Sequence, residues 1–141
     1  YNQAAKNKDL ADAIVDAITD YNKDLILLAL SGSQMIDSAK AKGVKYASEV
    51  FADRAYEADG SLRARSLENS MITDEDLAVE RVIKMVKTGK VTAYTGEEID
   101  IEAHSVCVHG DSEKAFVFVQ KLNEAFIKNG IETVGLIEAI K

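Results

Sequence analysis

The sequence predicts an α/β fold in which parallel strands are joined by helical crossovers. Segments with apolar residues at three- and four-residue steps alternate along the chain with short, nearly continuous apolar runs. Those runs have strand length and end at Gly, Ser, Asn or Asp. The chain contains no proline, so its turns fall to the same four residue types. Crossovers of this kind are right-handed, and ligand sites in such folds lie at the carboxyl ends of the strands.

Each element follows from its own residues. Residues 4–21 read as an amphipathic helix, with Leu10, Ile14, Ala17, Ile18 and Tyr21 on one face. DLILLAL, residues 24–30, reads as a strand buried on both faces, bounded by Asn22 and by Ser31-Gly32-Ser33. Ser33 opens a helix that reaches Lys42 and stops at Gly43. A second strand covers residues 44–53. The polar stretch DRAYEADGSLRARSLENS follows, turning at Gly60, and its length marks it as functional or mobile. Thr73, followed by Asp74, Glu75 and Asp76, starts a helix with Leu77, Val82, Ile83 and Val86 as its buried stripe. Lys84, Lys87 and Gly89 mark its end. KVTAYTGEEIDI reads as a small hairpin around Thr95-Gly96, and SVCV then forms a strand that runs into His109. Ser112 opens the last helix, which carries Phe116, Val119, Leu122, Phe126 and Ile127 and stops at Asn129-Gly130. IETVGLIEAI stays open between a strand and a short helix. Residues 1–141 thus read as one α/β domain, whose three parallel strands suit part of a larger open sheet or barrel.

Composition excludes several function classes. Hydrophobic residues make up 47% and charged residues 29%, an ordinary globular balance. The net charge of −7 argues against nucleic acid and against an anionic membrane surface. No apolar run approaches the roughly 18–20 residues that span a bilayer, and no leader-like segment opens the chain. The single cysteine, Cys107, has no internal partner, which favours a reducing, cytoplasmic setting. The chain has no initiator methionine and begins at Tyr1 in the middle of YNQAAKNKDLADAIVDAI, so a piece of a longer protein is expected.

Three loops stand at strand carboxyl ends: residues 31–33, 53–66 and 109–112. Alternation puts Ala47, Glu49, Phe51 and Asp53 on one face of the middle strand. It puts Ser105, Cys107 and His109 on one face of the last. Glu49 is a carboxylate in an apolar strand and needs a cation, hydrogen bonds or a proton. A structural ion pair with Arg54 is one reading of it, and a site residue is the other. Arg54, Arg63 and Arg65 can hold an anionic group by bidentate bonds. His109 reads as a site residue or a plain hydrogen-bonded histidine, and Asp111-Ser112 as a helix cap or as chemistry. Cys107 reads as an inert core thiol, and His104 and Glu97-Glu98 as solvated loop residues. Ser31-Gly32-Ser33 is too short for a GxxxxGK[ST] loop and lacks its lysine, but a helix N-terminus there can bind an anion. No spacing matches a standard metal ligand set, so the metal stays unknown.

ASEVFADRAYEADGSLRARS (residues 47–66) and VCVHGD (residues 106–111) together resemble the LamB/YcsF family. YNQAAKNKDLADAI and LALSGSQMI are similar to it as well, so the resemblance covers nearly the whole chain. It implies a (β/α) barrel of about seven strands, akin to metal-dependent polysaccharide deacetylases, of which this chain matches the carboxyl-terminal half or somewhat more. It implies an ATP-dependent 5-oxoprolinase reaction that opens the lactam of 5-oxo-L-proline to L-glutamate, with B and C subunits as partners. Carried onto this sequence, it implies that Glu49, Asp53, Arg54, Tyr56, His109 and Asp111 line the barrel mouth. His109, Glu49 and Asp111 are then the expected catalytic residues, and Arg54, Asp53 and Tyr56 the expected substrate-binding ones. Tyr56 enters through the resemblance alone. The sequence departs from the family in lacking its amino-terminal motifs rich in His and Asp, and the His-Gly turn before Tyr1. His104 stands where an aspartate is usual, and no proline follows Arg65-Ser66. The chain alone is therefore expected to be inactive, and to self-associate through open sheet edges. A metal-dependent deacetylase-like hydrolase of another substrate, and a non-catalytic α/β binding module, stay open as alternatives.

Overall fold

The computed structural model describes residues 1–110 and 115–141. Its centre is a three-stranded parallel sheet of β1 (Leu27–Leu30), β2 (Tyr46–Phe51) and β5 (Ser105–Cys107), in the order β1-β2-β5. The register sets Leu30 beside Glu49, Glu49 beside Ser105, and Phe51 beside Cys107. Helices α1 (Asn2–Lys6), α2 (Lys8–Tyr21) and α3 (Gln34–Lys42) pack at the β1 side. Helix α4 (Glu75–Thr88) leads into the antiparallel hairpin of β3 (Lys90–Thr92) and β4 (Glu98–Asp100). Helices α5 (Ala115–Lys128) and α6 (Leu136–Ala139) complete the described chain, so the final segment is a short helix.

Several expectations are corrected. The first helix is two, because Asn7 adopts an extended conformation and its Oδ1 accepts the Leu10 N–H at 3.0 Å. A capping side chain there outweighs an apolar period that runs straight through it. Asp74, not Thr73, caps α4, accepting from the Asp76 and Leu77 amides. The buried face of α4 is Ala78, Val82 and Met85, while Leu77 is exposed. In α5, Phe118 and Leu122 pack on Ala52, Ala78 and Val82. Phe116 and Ile127 stand 71% and 79% exposed. Both helices are more apolar than their contact needs, so the partner selects the stripe. β1 is buried on both faces only at its carboxyl end: α2 and α3 cover the side of Leu27 and Ala29, whereas on the other Leu28 is exposed and Leu30 is buried beside Val50 and Tyr56.

The long loop after β2 is folded back on itself by isolated bridges between Arg54 and Met71 and between Tyr56 and Leu62. Arg81 pins it, donating to the carbonyls of Arg54 (3.2 Å) and Thr92 (3.3 Å). His104 is no solvated loop residue. Its Nδ1 accepts the Ser48 N–H at 3.0 Å, closing the start of β5 against β2. Among the described residues no helix is long and apolar enough to cross a membrane.

Candidate functional site

The β2–β5 register creates the site. Because Phe51 lies beside Cys107, the two chains leave the sheet together, and two residues later Asp53 meets His109. The Asp53 Oδ2 lies 2.8 Å from His109 Nδ1. On its other side, His109 Nε2 lies 3.2 Å from an Arg65 guanidinium nitrogen. A guanidinium only donates and a carboxylate only accepts. One tautomer satisfies both: Nδ1–H donates to Asp53, and Nε2 accepts from Arg65. The Phe51 ring stacks on the imidazole with centroids 5.8 Å apart, and Tyr1 meets Phe51 edge-on. The second carboxylate oxygen of Asp53 is buried and has no partner among the described residues.

Glu49 shares this face and is half-buried, as the alternation of β2 requires. It is not paired with Arg54. Its Oε2 accepts the Tyr1 hydroxyl at 2.6 Å, so of the open alternatives a hydrogen bond is the one realised. Burial first, then the bond to Glu49, pushes the Tyr1 hydroxyl far above the ordinary phenol range. Burial and then the Glu49 and Asp53 carboxylates raise Cys107, which keeps the thiol protonated.

The three arginines divide. Arg63 is occupied in holding the loop: it pairs with Glu57 at 2.8 Å, donates to the Glu68 carbonyl, and lies over the Tyr94 ring. Arg54 is 6% exposed; it donates to the Arg63 carbonyl at 2.6 Å, while its Nε has no partner among the described residues. Burial, and then the charge of Arg65, lower its pKa, though a guanidinium remains a cation. Arg54 and Arg65 face a pocket of about 660 Å³, whose other wall is Ser31-Gly32-Ser33. Two of the three strand-end loops thus meet, and Arg65 reaches from that pocket to the third.

Tyr56 is not at the surface of this site. It is 0% exposed, and its hydroxyl accepts the Phe51 N–H at 2.9 Å. Burial pushes its pKa up to about 12. It braces the strand end from beneath rather than facing a ligand. Asp111, and with it the expected cap of the last helix, lies outside the described residues. Sequence reasoning missed the part of Tyr1, for which no local pattern exists, and could not rank Arg65 above Arg63. Among the described residues no group of three or more His, Cys, Asp or Glu converges as a metal site.

The model of the LamB/YcsF family matches residues 1–141. The chain belongs to the LamB/YcsF family. It is 52% identical over 141 residues to a Fusobacterium nucleatum protein named as the A subunit of 5-oxoprolinase, covering 100% of this chain and 55% of that one. A Clostridium beijerinckii protein of the same name is 54% identical over 136 residues, covering 96% and 53%. The crystal structure of a lactam utilization protein from Thermus thermophilus superposes with a TM-score of 0.82 at 32% identity. That match covers 93% of this chain and 52% of the other. The α/β fold with its parallel sheet is therefore shared within the family, and the chain spans about half the length of the relatives it matches.

Proposed function

We propose that this chain supplies part of the active site of an amide hydrolase that opens the lactam of 5-oxo-L-proline to L-glutamate. The observation that carries this reading is His109, oriented by Asp53 and presenting Nε2 at the strand ends. It stands in a chain whose relatives are named as the A subunit of 5-oxoprolinase. In this reading the unit is the carboxyl-terminal part of a (β/α) barrel of about seven strands. The outer edges of β1 and β5, which pair with no further strand among the described residues, support it, because a parallel sheet is normally continued.

The residues divide the work by their contacts. Once Arg65 turns to an anionic ligand, His109 Nε2 takes a proton from the water that attacks the lactam carbonyl. The carbon–oxygen bond forms, the ring carbon–nitrogen bond breaks, and the same proton passes to the leaving nitrogen. The Asp53 carboxylate stabilises the imidazolium in between. Glu49, tied to Tyr1, is the second proton-exchanging group, and Asp111 orients or caps. Arg54 binds an anionic group of the ligand, either the substrate carboxylate or a phosphoryl group. The Ser33 hydroxyl and Arg54 Nε, both without a partner among the described residues, belong to residues lining the pocket and would hold phosphates of ATP, which would supply a phosphoryl group to make the lactam carbon more electrophilic. B and C subunits and a cytoplasmic setting belong to the same proposal. So does inactivity of the chain alone, with self-association through its exposed apolar residues.

Arg54→Ala and His109→Ala, made in the full-length frame assembled with its partner subunits, test the reading. Loss of the general base in His109→Ala is expected to lower 5-oxoproline turnover by about 10²–10⁴-fold, and loss of the anion contact in Arg54→Ala to weaken ligand binding. Unchanged turnover in both variants refutes it.

A further inference from the structure

We propose that the pocket between the 31–33 turn and the 54–65 loop binds a phosphoryl group, held by backbone amides, the Ser33 hydroxyl and the guanidiniums of Arg54 and Arg65. Naming its carrier as a nucleotide rests on the ATP-coupled reading above, whereas phosphoryl binding itself does not.

The turn is built like an anion cradle. Gly32 has φ +71°, which bends the backbone just ahead of α3. The Ser31 N–H goes to the Glu49 carbonyl and the Ser33 N–H to the Leu30 carbonyl. The amides of Gly32, Gln34 and Met35 have no acceptor among the described residues. Ser33 occupies the N-cap position of α3 but makes no capping bond. Its side chain is 4% exposed, with Oγ unpartnered among the described residues. A hydroxyl placed there normally satisfies a first-turn amide, so its idleness beside a pocket points to a ligand. Arg54 supplies the independent observation on the opposite wall: a buried side chain whose Nε is also without a partner among the described residues.

Charge agrees. The pocket is lined by Lys6, Arg54 and Arg65 against the single carboxylate of Asp59, in a chain of net charge −7. Asp59 is occupied by the Ser61 N–H at 2.9 Å. The lining sets backbone amides and a hydroxyl on one wall against guanidiniums on the other, and the three oxygens of a phosphoryl group accept more hydrogen bonds, in more directions, than the two coplanar oxygens of a carboxylate. A volume of about 660 Å³ also leaves room for an organic body larger than a five-membered lactam. Occupancy has a consequence for the base, because Arg65 that turns to a phosphoryl group leaves His109 Nε2.

The test is titration of the chain with inorganic phosphate, pyrophosphate and ADP, with acetate and 5-oxo-L-proline as carboxylate arms. Calorimetry gives affinity, and imidazole ¹⁵N NMR follows the two histidines. Saturable binding of the phosphate series is expected, together with a His109 shift that acetate does not cause. Arg65→Ala is expected to weaken it about tenfold or more, and Ser33→Ala about three- to tenfold. Arg54→Lys adds a third arm where circular dichroism shows native folding, and loses at least as much as Arg65→Ala. Absence of saturable phosphate binding overturns the proposal, as does equal competition by acetate, or wild-type affinity in both Ser33→Ala and Arg65→Ala. Phosphate binding lost while the assembled enzyme still turns over 5-oxoproline removes this site and leaves the lactam reading. The converse result leaves the site and removes that reading.

Discussion

Replacing Tyr56 by Phe separates a brace from a substrate contact. The ring is fully buried and stays so, but the acceptor for the Phe51 N–H disappears. A buried amide without a partner costs about 1–3 kcal/mol. In a domain of this size that is a fall in Tm of roughly 3–9 °C at pH 7. The alkaline limb gives a second, independent sign. Burial holds Tyr56 protonated up to about pH 12, whereas the unfolded phenol ionises near 10.0. The unfolded state therefore loses its proton first, and the stability held below pH 10 drains away as pH rises towards 12. That loss amounts to roughly 3 kcal/mol at about 1.4 kcal/mol per pH unit. Tyr56→Phe lacks this contribution, so the gap between variant and wild type should narrow between pH 10 and 12. Tyr1, raised in the same direction, remains in both proteins and leaves a common slope. Urea melts at pH 7, 10 and 11.5 read both effects. A Tm within 1 °C of wild type at pH 7, with a gap that does not change with pH, refutes the bracing role.

Other outcomes follow from the same contacts. Asp53→Asn keeps the shape but disfavours the Nδ1–H tautomer of His109, so turnover by the assembled enzyme should fall about 10²–10⁴-fold with Tm held; wild-type turnover refutes the orienting role. Gly89→Ala puts a side chain at φ +63° with its Cβ 3.5 Å from the Ile101 carbonyl oxygen. The contact is ordinary, so the cost is the left-handed backbone alone, about 1–2 kcal/mol in the urea midpoint; an unchanged midpoint refutes it. Phe116→Ser with Ile127→Ser should alter stability by no more than about 0.5 kcal/mol while lowering the mass seen by light scattering. A monomer peak from the unsubstituted chain refutes the self-association.

Local rules make much of this molecule legible in its sequence. The ends of α3 and α4 at Gly43 and Gly89, the small hairpin, and the alternation that puts Glu49, Phe51 and Asp53 on one face are written in neighbouring residues. A turn needs its glycine, and a strand its period of two, wherever they occur. Stripes were legible only up to rotation. Leu77 and Phe116 fit a helical period as well as Met85 and Phe118 do, and only the opposing surface chooses between them. The site depended still more on distance. Asp53 meets His109 across 56 residues, and Tyr1 meets Glu49 across 48, through a strand register that no local pattern states. Sequence supplied three arginines of equal chemistry within the loop after β2. Tertiary structure set Arg63 against Glu57, aimed Arg54 at the pocket and laid Arg65 on His109, because a guanidinium's role is fixed by which acceptors the fold leaves within its reach.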